Sequence, residues 1–153
     1  MRALNERITG YDQRIPQLAH ASEPAQRLMA VEGIGPVTAT AVVASVGDGH
    51  EFHGGRQFAA WLGLTPRQSS SGGKSRLGGI TQRGNEDLRR LLIHGARSVL
   101  RLTGSRADRK SRWAEAVKGR RGEKIAAIAL AAQHARILWA MLTRGETYQV
   151  AAA

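Results

Sequence analysis

Apolar residues recur along the first 18 positions at alternating intervals of three and four, the spacing of a heptad seam. They are Met1, Leu4, Ile8, Tyr11, Ile15 and Leu18. The pattern predicts a helix. Pro16 is expected to kink or end it near Arg14, because proline lacks an amide proton and clashes with the preceding turn. Two interpretations stay open: the helix packs on a partner or an upstream segment, or it packs on its own domain.

A second helical pattern begins after the break "ASEPAQ", where Ser22 suits a helix cap and Pro24 a first turn. Residues 28–47 then show two helical patterns joined by a Gly-Ile-Gly turn. This arrangement predicts a helix-hairpin-helix, in which Gly33 and Gly35 permit a tight turn and exposed amides can contact a DNA phosphate. The alternative is an ordinary helical corner whose glycines serve packing only.

The middle of the chain changes from helical to glycine-rich. Residues 52–64 predict a short helix that stops at Gly63. The side chains expected to point inward from it are Phe58, Trp61 and Leu62. Residues 65–84, which are rich in glycine and poor in apolar residues, predict a loop or an irregular hairpin.

A helix over about 86–103 is predicted after Asn85, with acidic residues in its first turn. It has two faces. The apolar stripe comprises Leu88, Leu91, Leu92, Val99 and Leu102, and the basic stripe comprises Arg90, His94, Arg97 and Arg101. The basic segment that follows carries Trp113 as an expected core anchor.

The last pattern, over 123–145, is rich in alanine and predicts a long buried helix that ends at Gly145. Its expected core residues are Ile125, Ile128, Ile137, Leu138 and Met141. The chain as a whole therefore predicts a mainly α fold.

Composition narrows the class of protein. The 153 residues suffice for one domain, and the absence of cysteine excludes disulfides and thiolate metal sites. We expect a cytoplasmic protein, because no long apolar run and no signal-peptide pattern is present.

The net charge of +11 lies entirely within residues 67–124, which hold 16 basic and 5 acidic residues. Such a concentration favours nucleic acid as the partner.

Carboxylates are too few and too scattered for a convincing metal site. Those nearest the middle of the chain are Asp48, Glu51, Glu86 and Asp87. The sequence "HEFH" at 50–53 also lacks the spacing of the zinc motif H-E-x-x-H. We therefore expect no metal cofactor bound by this chain.

The stretch "RQSSSGGKSRLGG", residues 67–79, has two possible meanings. It is either a flexible linker or a loop that presents a serine hydroxyl to a phosphate. For the second, Gly72 and Gly73 would permit close approach of the backbone. The cations Lys74, Arg76 and Arg83 would stabilise the developing oxyanion. No local base is evident, so the residues alone favour the linker.

The motifs "VEGIGPVTA" and "RQFAAWLGLTPRQSSSGGKSRLGGITQRGNEDLRRLLIHGA" resemble the C-terminal domain of the insertion-sequence one-ten family of transposases, also called bridge-RNA-guided serine recombinases. The resemblance covers roughly 25–145. It implies that the serine before the glycines, Ser71, is the DNA nucleophile. It also implies a guide RNA as partner and an N-terminal carboxylate domain that binds magnesium. This chain is expected to begin inside the family's coiled coil, to lack that domain and to be inactive alone.

The predicted organisation is a coiled-coil remnant at 1–20, through which a homo-oligomer could form, and a C-terminal transposase domain at 21–147. Within the domain we expect the helix-hairpin-helix at about 28–47, the serine loop at about 65–84 and a small helical bundle at about 85–145. The predicted DNA-binding residues are Gly33, Gly35, Gly72, Gly73, Lys74, Arg76, Arg83, Arg90, Arg97 and Arg101. The alternative function is a non-catalytic helix-hairpin-helix module that binds nucleic acid.

Overall fold

The computed structural model describes residues 1–71 and 74–150, and the side chains of these residues except 69–71 and 74–77. Over this part of the chain the fold is mainly helical, as predicted, with one two-stranded antiparallel sheet. The helices are α1 (Arg2–Ala21), α2 (Glu23–Leu28), α3 (Pro36–Val46), α4 (Gly55–Trp61), α5 (Glu86–Leu100), α6 (Arg109–Arg121) and α7 (Glu123–Arg144), with a 3-10 turn at Thr103–Ser105. The strands are β1 (Pro66–Ser71) and β2 (Lys74–Ile80).

Helix α1 runs through Pro16 as far as Ala21, so the prediction that it ends near Arg14 is wrong. A proline inside a helix removes a hydrogen bond of the ladder. Packing offsets this loss, because α1 lies against α2 and α3 and buries Ala19. The other apolar residues of the predicted seam stay largely outside this contact: Met1, Leu4, Ile8, Tyr11 and Leu18 are exposed. Pairing of two chains through α1 therefore stays a prediction.

The break before α2 is capped as predicted. The Ser22 hydroxyl accepts a hydrogen bond from the Ala25 amide at 3.4 Å, and Pro24 lies in the first turn. Helices α2 and α3 pack on each other, and Val31 and Ile34 of the connecting turn are buried. Two short helices thus form a corner whose apolar side faces the rest of the domain.

Helix α7 is the centre of the core and contacts α2, α4, α5 and α6. It ends at Gly145, which adopts a left-handed conformation with φ of 66°, as predicted. Leu138 and Met141 are buried, but the prediction for Ile125 is wrong because its side chain is 48% exposed. By length and composition α7 could span a membrane, but half of its apolar stretch is buried inside the domain.

Three other predicted core residues lie at the surface: Trp61, Leu102 and Trp113. Helix α5 ends at Leu100, which takes Leu102 out of the helical register. Helix α6 buries Ser111, Ala114 and Val117 instead of its tryptophan. These small side chains let α6 approach α7 closely, and the larger indole is left at the rim of the contact.

The segment 65–84 is a β-hairpin, one of the two alternatives that its composition left open. Strands β1 and β2 pair antiparallel, with Ser71 opposite Lys74 and Pro66 opposite Ile80. The register shifts between Pro66 and Gln68, which is the signature of a β-bulge. Along the chain the hairpin lies between α4 and α5, and in the described part of the structure its strands pack on each other and not on a helix.

Candidate nucleic-acid interface

The base of the hairpin is fixed to the end of α4 by backbone contacts. The Thr81 amide donates to the Thr65 carbonyl at 3.0 Å, and the Gln82 amide donates to the Gly63 carbonyl at 3.2 Å. Gln82 has a positive φ of 56°, a conformation that a side chain rarely adopts and that this contact helps to hold. Gly84, with φ of 99°, lies so close to Trp61 that a Cβ atom would overlap its carbonyl oxygen.

A buried arginine completes this anchor. Arg89 of α5 is 9% exposed, and its Nη1 donates to the Leu62 carbonyl at 3.1 Å, at the C-terminal end of α4. A cation at this end complements the helix dipole and an otherwise unpaired carbonyl. Sequence reasoning missed this role, although Arg89 shares its helical face with Ala96 and Leu100, both of which are buried. The sequence feature that indicates a buried arginine is its position on the same helical face as these apolar residues.

The predicted nucleophile is at the far end of the hairpin. Ser71 is the last residue of β1, and it pairs with Lys74, the first residue of β2. Arg76 pairs with Ser69. The side chains of these four residues, and Gly72 and Gly73 altogether, lie outside the described part of the structure. Their predicted roles therefore stay predictions.

The basic stripe of α5 is exposed, as its spacing predicted. Arg90, His94, Arg97 and Arg101 all face solvent, and Arg83 is exposed just before the helix. From Arg90 to Arg101 the stripe extends over about 16 Å of helix axis. Arg90 forms an ion pair with Glu86 at 2.9 Å, in which both side chains are 65% exposed. An exposed pair of this kind is weak and leaves the arginine available to a phosphate.

The two glycines of the Gly-Ile-Gly turn differ in what surrounds them. Gly33 has φ of 81°, and a Cβ atom there would lie 2.5 Å from the Gly95 carbonyl oxygen and 2.8 Å from Val99 Cγ2. Gly33 therefore lets the turn pack directly on α5. Gly35 has nothing within 4 Å of its Cβ position and is exposed as the N-cap of α3. Close packing on α5 explains why residue 33 is a glycine. Gly35, by contrast, leaves the backbone amides at the start of α3 accessible to a ligand.

Helix α5 thus lies next to the three predicted elements: Gly95 packs on the turn, Arg89 bonds to the end of α4 where the hairpin begins, and the opposite side presents the basic stripe. Residues 25–112, which include all three, match the family model described as "Transposase IS116/IS110/IS902 family". This match covers more than half of the chain. The chain belongs to the IS110 family of transposases.

Individual relatives of this transposase-family chain align along nearly its whole length. A probable family 20 transposase of Pseudomonas aeruginosa is 50% identical over 149 residues, which are 97% of this chain and 44% of that protein. The transposase of insertion sequence IS1111A from Coxiella burnetii is 49% identical, and the alignment covers 97% of this chain and 41% of that protein. The IS1328 transposase of Yersinia enterocolitica is 37% identical, and the alignment covers 95% of this chain and 43% of that protein. The chain spans less than half the length of these relatives.

The carboxylates of this transposase-family chain do not fit a magnesium site. Among the described residues, no three histidine, aspartate or glutamate side chains lie close enough together to hold a metal ion. Asp48 instead accepts a hydrogen bond from the His50 amide at 3.1 Å, which lowers the pKa of its carboxyl group. Glu86 is engaged by Arg90.

A partly buried ionic cluster of the IS110-family domain centres on Glu32 and was not predicted. Glu32 accepts hydrogen bonds from Arg106 and Lys110, both at 2.5 Å, and Lys110 also donates to the Tyr148 hydroxyl at 2.9 Å. Burial opposes the charge on Lys110, but the bonds to Glu32 and Tyr148 outweigh it and raise the pKa of the ammonium group. The cluster ties the turn before α3 to α6 and to the C-terminal segment.

His134 of α7 is fully buried near this cluster. Neither ring nitrogen has a hydrogen-bond partner among the described residues. Burial lowers its pKa to about 4, with a smaller contribution in the same direction from Lys110, while Glu32 opposes the shift. The folded domain therefore holds His134 neutral at pH 7. Its spacing of four from Leu130 and from Leu138 was the sequence signal for burial.

Proposed function

We propose that this chain is the DNA-binding, serine-bearing part of an insertion-sequence transposase, a recombinase that cleaves and rejoins DNA through a phosphoserine intermediate. The observation that carries the proposal is the arrangement around α5, within the segment that matches the transposase family. Arg89 of this helix bonds to the end of α4, from which the serine hairpin starts, while Arg97 and Arg101 face solvent.

In the proposed reaction, the Ser71 hydroxyl oxygen attacks a DNA phosphorus in line. A bond forms between that oxygen and phosphorus, and the bond from phosphorus to the leaving deoxyribose oxygen breaks. The serine proton passes to a base, and the leaving oxygen takes up a proton to become a hydroxyl group. Rejoining is the reverse reaction with the hydroxyl of another strand as attacking group. Lys74, Arg76 and Arg83 would stabilise the charge that develops on the phosphoryl oxygens.

The duplex itself would be held by contacts that carry no sequence information. Arg90, Arg97 and Arg101 form a positive row suited to phosphates, and the open N-terminus of α3 at Gly35 offers backbone amides, as in a helix-hairpin-helix. Recognition of a particular DNA sequence would then depend on another component. From the family resemblance we propose that a guide RNA recognises the DNA sequence. From the same resemblance we propose that an N-terminal carboxylate domain binds magnesium.

The first prediction tests the α5 stripe. Replacing Arg90, Arg97 and Arg101 together by alanine is expected to make the slope of log affinity against log salt shallower by roughly 2 to 3 units, because fewer counterions are released on binding. Fluorescence anisotropy with a labelled DNA duplex over a range of salt concentrations measures this slope.

The matched control removes the same charge elsewhere. Arg2, Arg7 and Arg14 are exposed on α1, and their triple alanine variant also loses three positive charges. We expect its salt slope to stay close to that of the unaltered chain. Equal slopes for the two triple variants would show that α5 is not the part of the surface that contacts DNA.

The second prediction concerns autonomy. The chain alone is expected to bind DNA but not to cut it, because a serine hydroxyl is a poor nucleophile unless a base or metal activates it. The described residues offer no metal-binding cluster for this purpose. Incubation with magnesium, donor DNA, target DNA and guide RNA, followed by denaturing gel analysis, measures strand cleavage and protein–DNA adducts.

A chimera that joins this chain to the N-terminal part of a full-length relative is the positive control. The chimera is expected to form the covalent adduct under the same conditions. Strand exchange by the 153-residue chain alone would contradict the prediction of dependence on another domain. Binding without an adduct in both proteins would favour the second candidate function, a non-catalytic helix-hairpin-helix module, for which the exposed start of α3 is the supporting observation.

A further inference from the structure

A groove separate from the hairpin and the α5 stripe lies between α6, α7 and the C-terminal segment 146–150. Its volume is about 790 Å³, within the range of sites that hold small molecules. Its lining residues all belong to α6, α7 or the segment that follows, so neither the serine chemistry nor the proposed duplex contact uses it.

Trp113 forms the aromatic wall of the groove. Its side chain lies at the rim of the contact between α6 and α7 and is 37% exposed. The small side chains Ala114 and Val117 are buried on this helix, whereas the indole stays partly accessible. An exposed indole at the edge of a concave site offers a flat apolar surface on which another planar group can stack.

The charge of the groove suits an anion that is attached to such a planar group. Arg109 and Arg136 line it, on α6 and α7, and both are exposed. Glu146 is the acidic residue among the described lining residues, and it forms an ion pair with Arg144 at 3.7 Å. Two arginines beside a tryptophan match a phosphate beside an aromatic ring.

Gln133 adds a hydrogen-bonding group. It lines the groove, and its Oε1 atom has no hydrogen-bond partner among the described residues. A buried amide oxygen without a partner is unfavourable, and a ligand with an N–H donor would satisfy it. Tyr148 also lines the groove and is held by Lys110, whose ammonium group lies 5.3 Å from the ring centroid and bonds to the Tyr148 hydroxyl. Two aromatic side chains, Trp113 and Tyr148, therefore line the groove.

We propose that this groove binds an unpaired nucleotide of a single-stranded nucleic acid. The base stacks on Trp113 with an N–H edge toward Gln133, and the phosphates on either side lie against Arg109 and Arg136. Stacking needs no particular base and no 2′-hydroxyl, so both single-stranded DNA and RNA are ligands of this class. The proposal goes beyond DNA cleavage, because it assigns a groove separate from the hairpin and the α5 stripe to a strand that is not in a duplex.

The test measures the affinity of the purified chain for a labelled oligo(dT) by anisotropy, at a salt concentration of roughly 0.3 M that weakens purely electrostatic binding. Replacing Trp113→Leu is expected to reduce that affinity about tenfold, because leucine keeps apolar bulk without a stacking surface. Trp113→Phe, which keeps an aromatic ring, is expected to stay within about threefold of the unaltered chain. An oligo(U) arm reports whether RNA binds more tightly than DNA.

Three controls make the outcome specific. An abasic oligonucleotide of equal length keeps the phosphates but has no bases, and its affinity is expected not to change with Trp113→Leu. The affinity for a DNA duplex is also expected to stay the same. Trp61→Leu removes a second tryptophan of nearly equal exposure, 36%, and is expected to leave oligo(dT) binding intact. Circular dichroism is used to check that each variant is folded.

The proposal is overturned if folded Trp113→Leu binds oligo(dT) and oligo(U) as tightly as the unaltered chain does. An equal loss for the abasic strand would also overturn it, since no base would then be stacked. Neither result depends on the covalent adduct, so a failure of the cleavage proposal and a failure of this one are distinguishable.

Discussion

Replacing Ser71 by alanine in a chain joined to a family N-terminal domain is expected to abolish the covalent DNA adduct and leave DNA affinity nearly unchanged. The hydroxyl oxygen is the proposed nucleophile, and no other atom of the side chain can replace it. Loss of a nucleophile reduces the rate of the chemical step by at least about a thousandfold. Binding depends instead on cations spread over α5 and the hairpin, which the substitution does not remove.

The choice among three adjacent serines rests on position. Ser71 ends β1 beside Gly72 and pairs with Lys74 across the hairpin. Without a Cβ atom, the glycines let a phosphate approach the backbone closely. Ser70, which shares much of this environment, is the main rival. Ser69 lies further back in β1 and is expected to bond to the local backbone.

Ser69→Ala and Ser70→Ala are the matched controls, because each removes one hydroxyl from the same strand. Both are expected to keep the adduct, measured by its slower migration on a denaturing gel and its loss on proteolysis. An adduct that persists in Ser71→Ala and disappears in Ser70→Ala would move the nucleophile by one residue. An adduct that persists in all three variants would make the serine run a linker.

Replacing Gly95 by alanine is expected to destabilise the domain by about 3 kcal/mol or more, although alanine is the better helix former. A Cβ atom at residue 95 would overlap the carbonyl oxygen of Gly33, and it would lie 3.0 Å from the Gly33 carbonyl carbon. Both obstacles are backbone atoms of a buried corner, so no side chain can rotate away. The helix and the turn would have to separate, which disturbs the contact between α3 and α5.

Gly119→Ala is the matched control. Gly119 is also helical, in α6, and nothing lies within 4 Å of its Cβ position. Alanine there is expected to stabilise the domain by about 1 kcal/mol, the ordinary difference in helix propensity. Urea unfolding followed by circular dichroism measures both free energies of unfolding. If Gly95→Ala proved as stable as Gly119→Ala, the close contact between Gly33 and α5 would not exist in solution.

The sequence alone determined what depends on neighbours within a few residues. Ser22 and Asn85 cap α2 and α5 because a side-chain oxygen reaches an amide three residues ahead. Gly63 and Gly145 end α4 and α7 because glycine adopts a positive φ without strain. The exposed basic stripe of α5 also followed from spacing, since residues three and four apart lie on one side of a helix.

Tertiary structure decided which of the predicted surfaces are covered. Leu102 and Trp113 have core-like side chains, but the turn after α5 and the close approach of α6 to α7 leave both exposed. Gly33 packs on a residue 62 positions away, and Arg89 bonds to a carbonyl 27 positions away. Periodicity describes one element at a time and holds no information on its partner. The serine hairpin is the extreme case: its residues have weak strand propensity, and backbone bonds from Thr81 to Thr65 and from Gln82 to Gly63, outside both strands, hold its base in place.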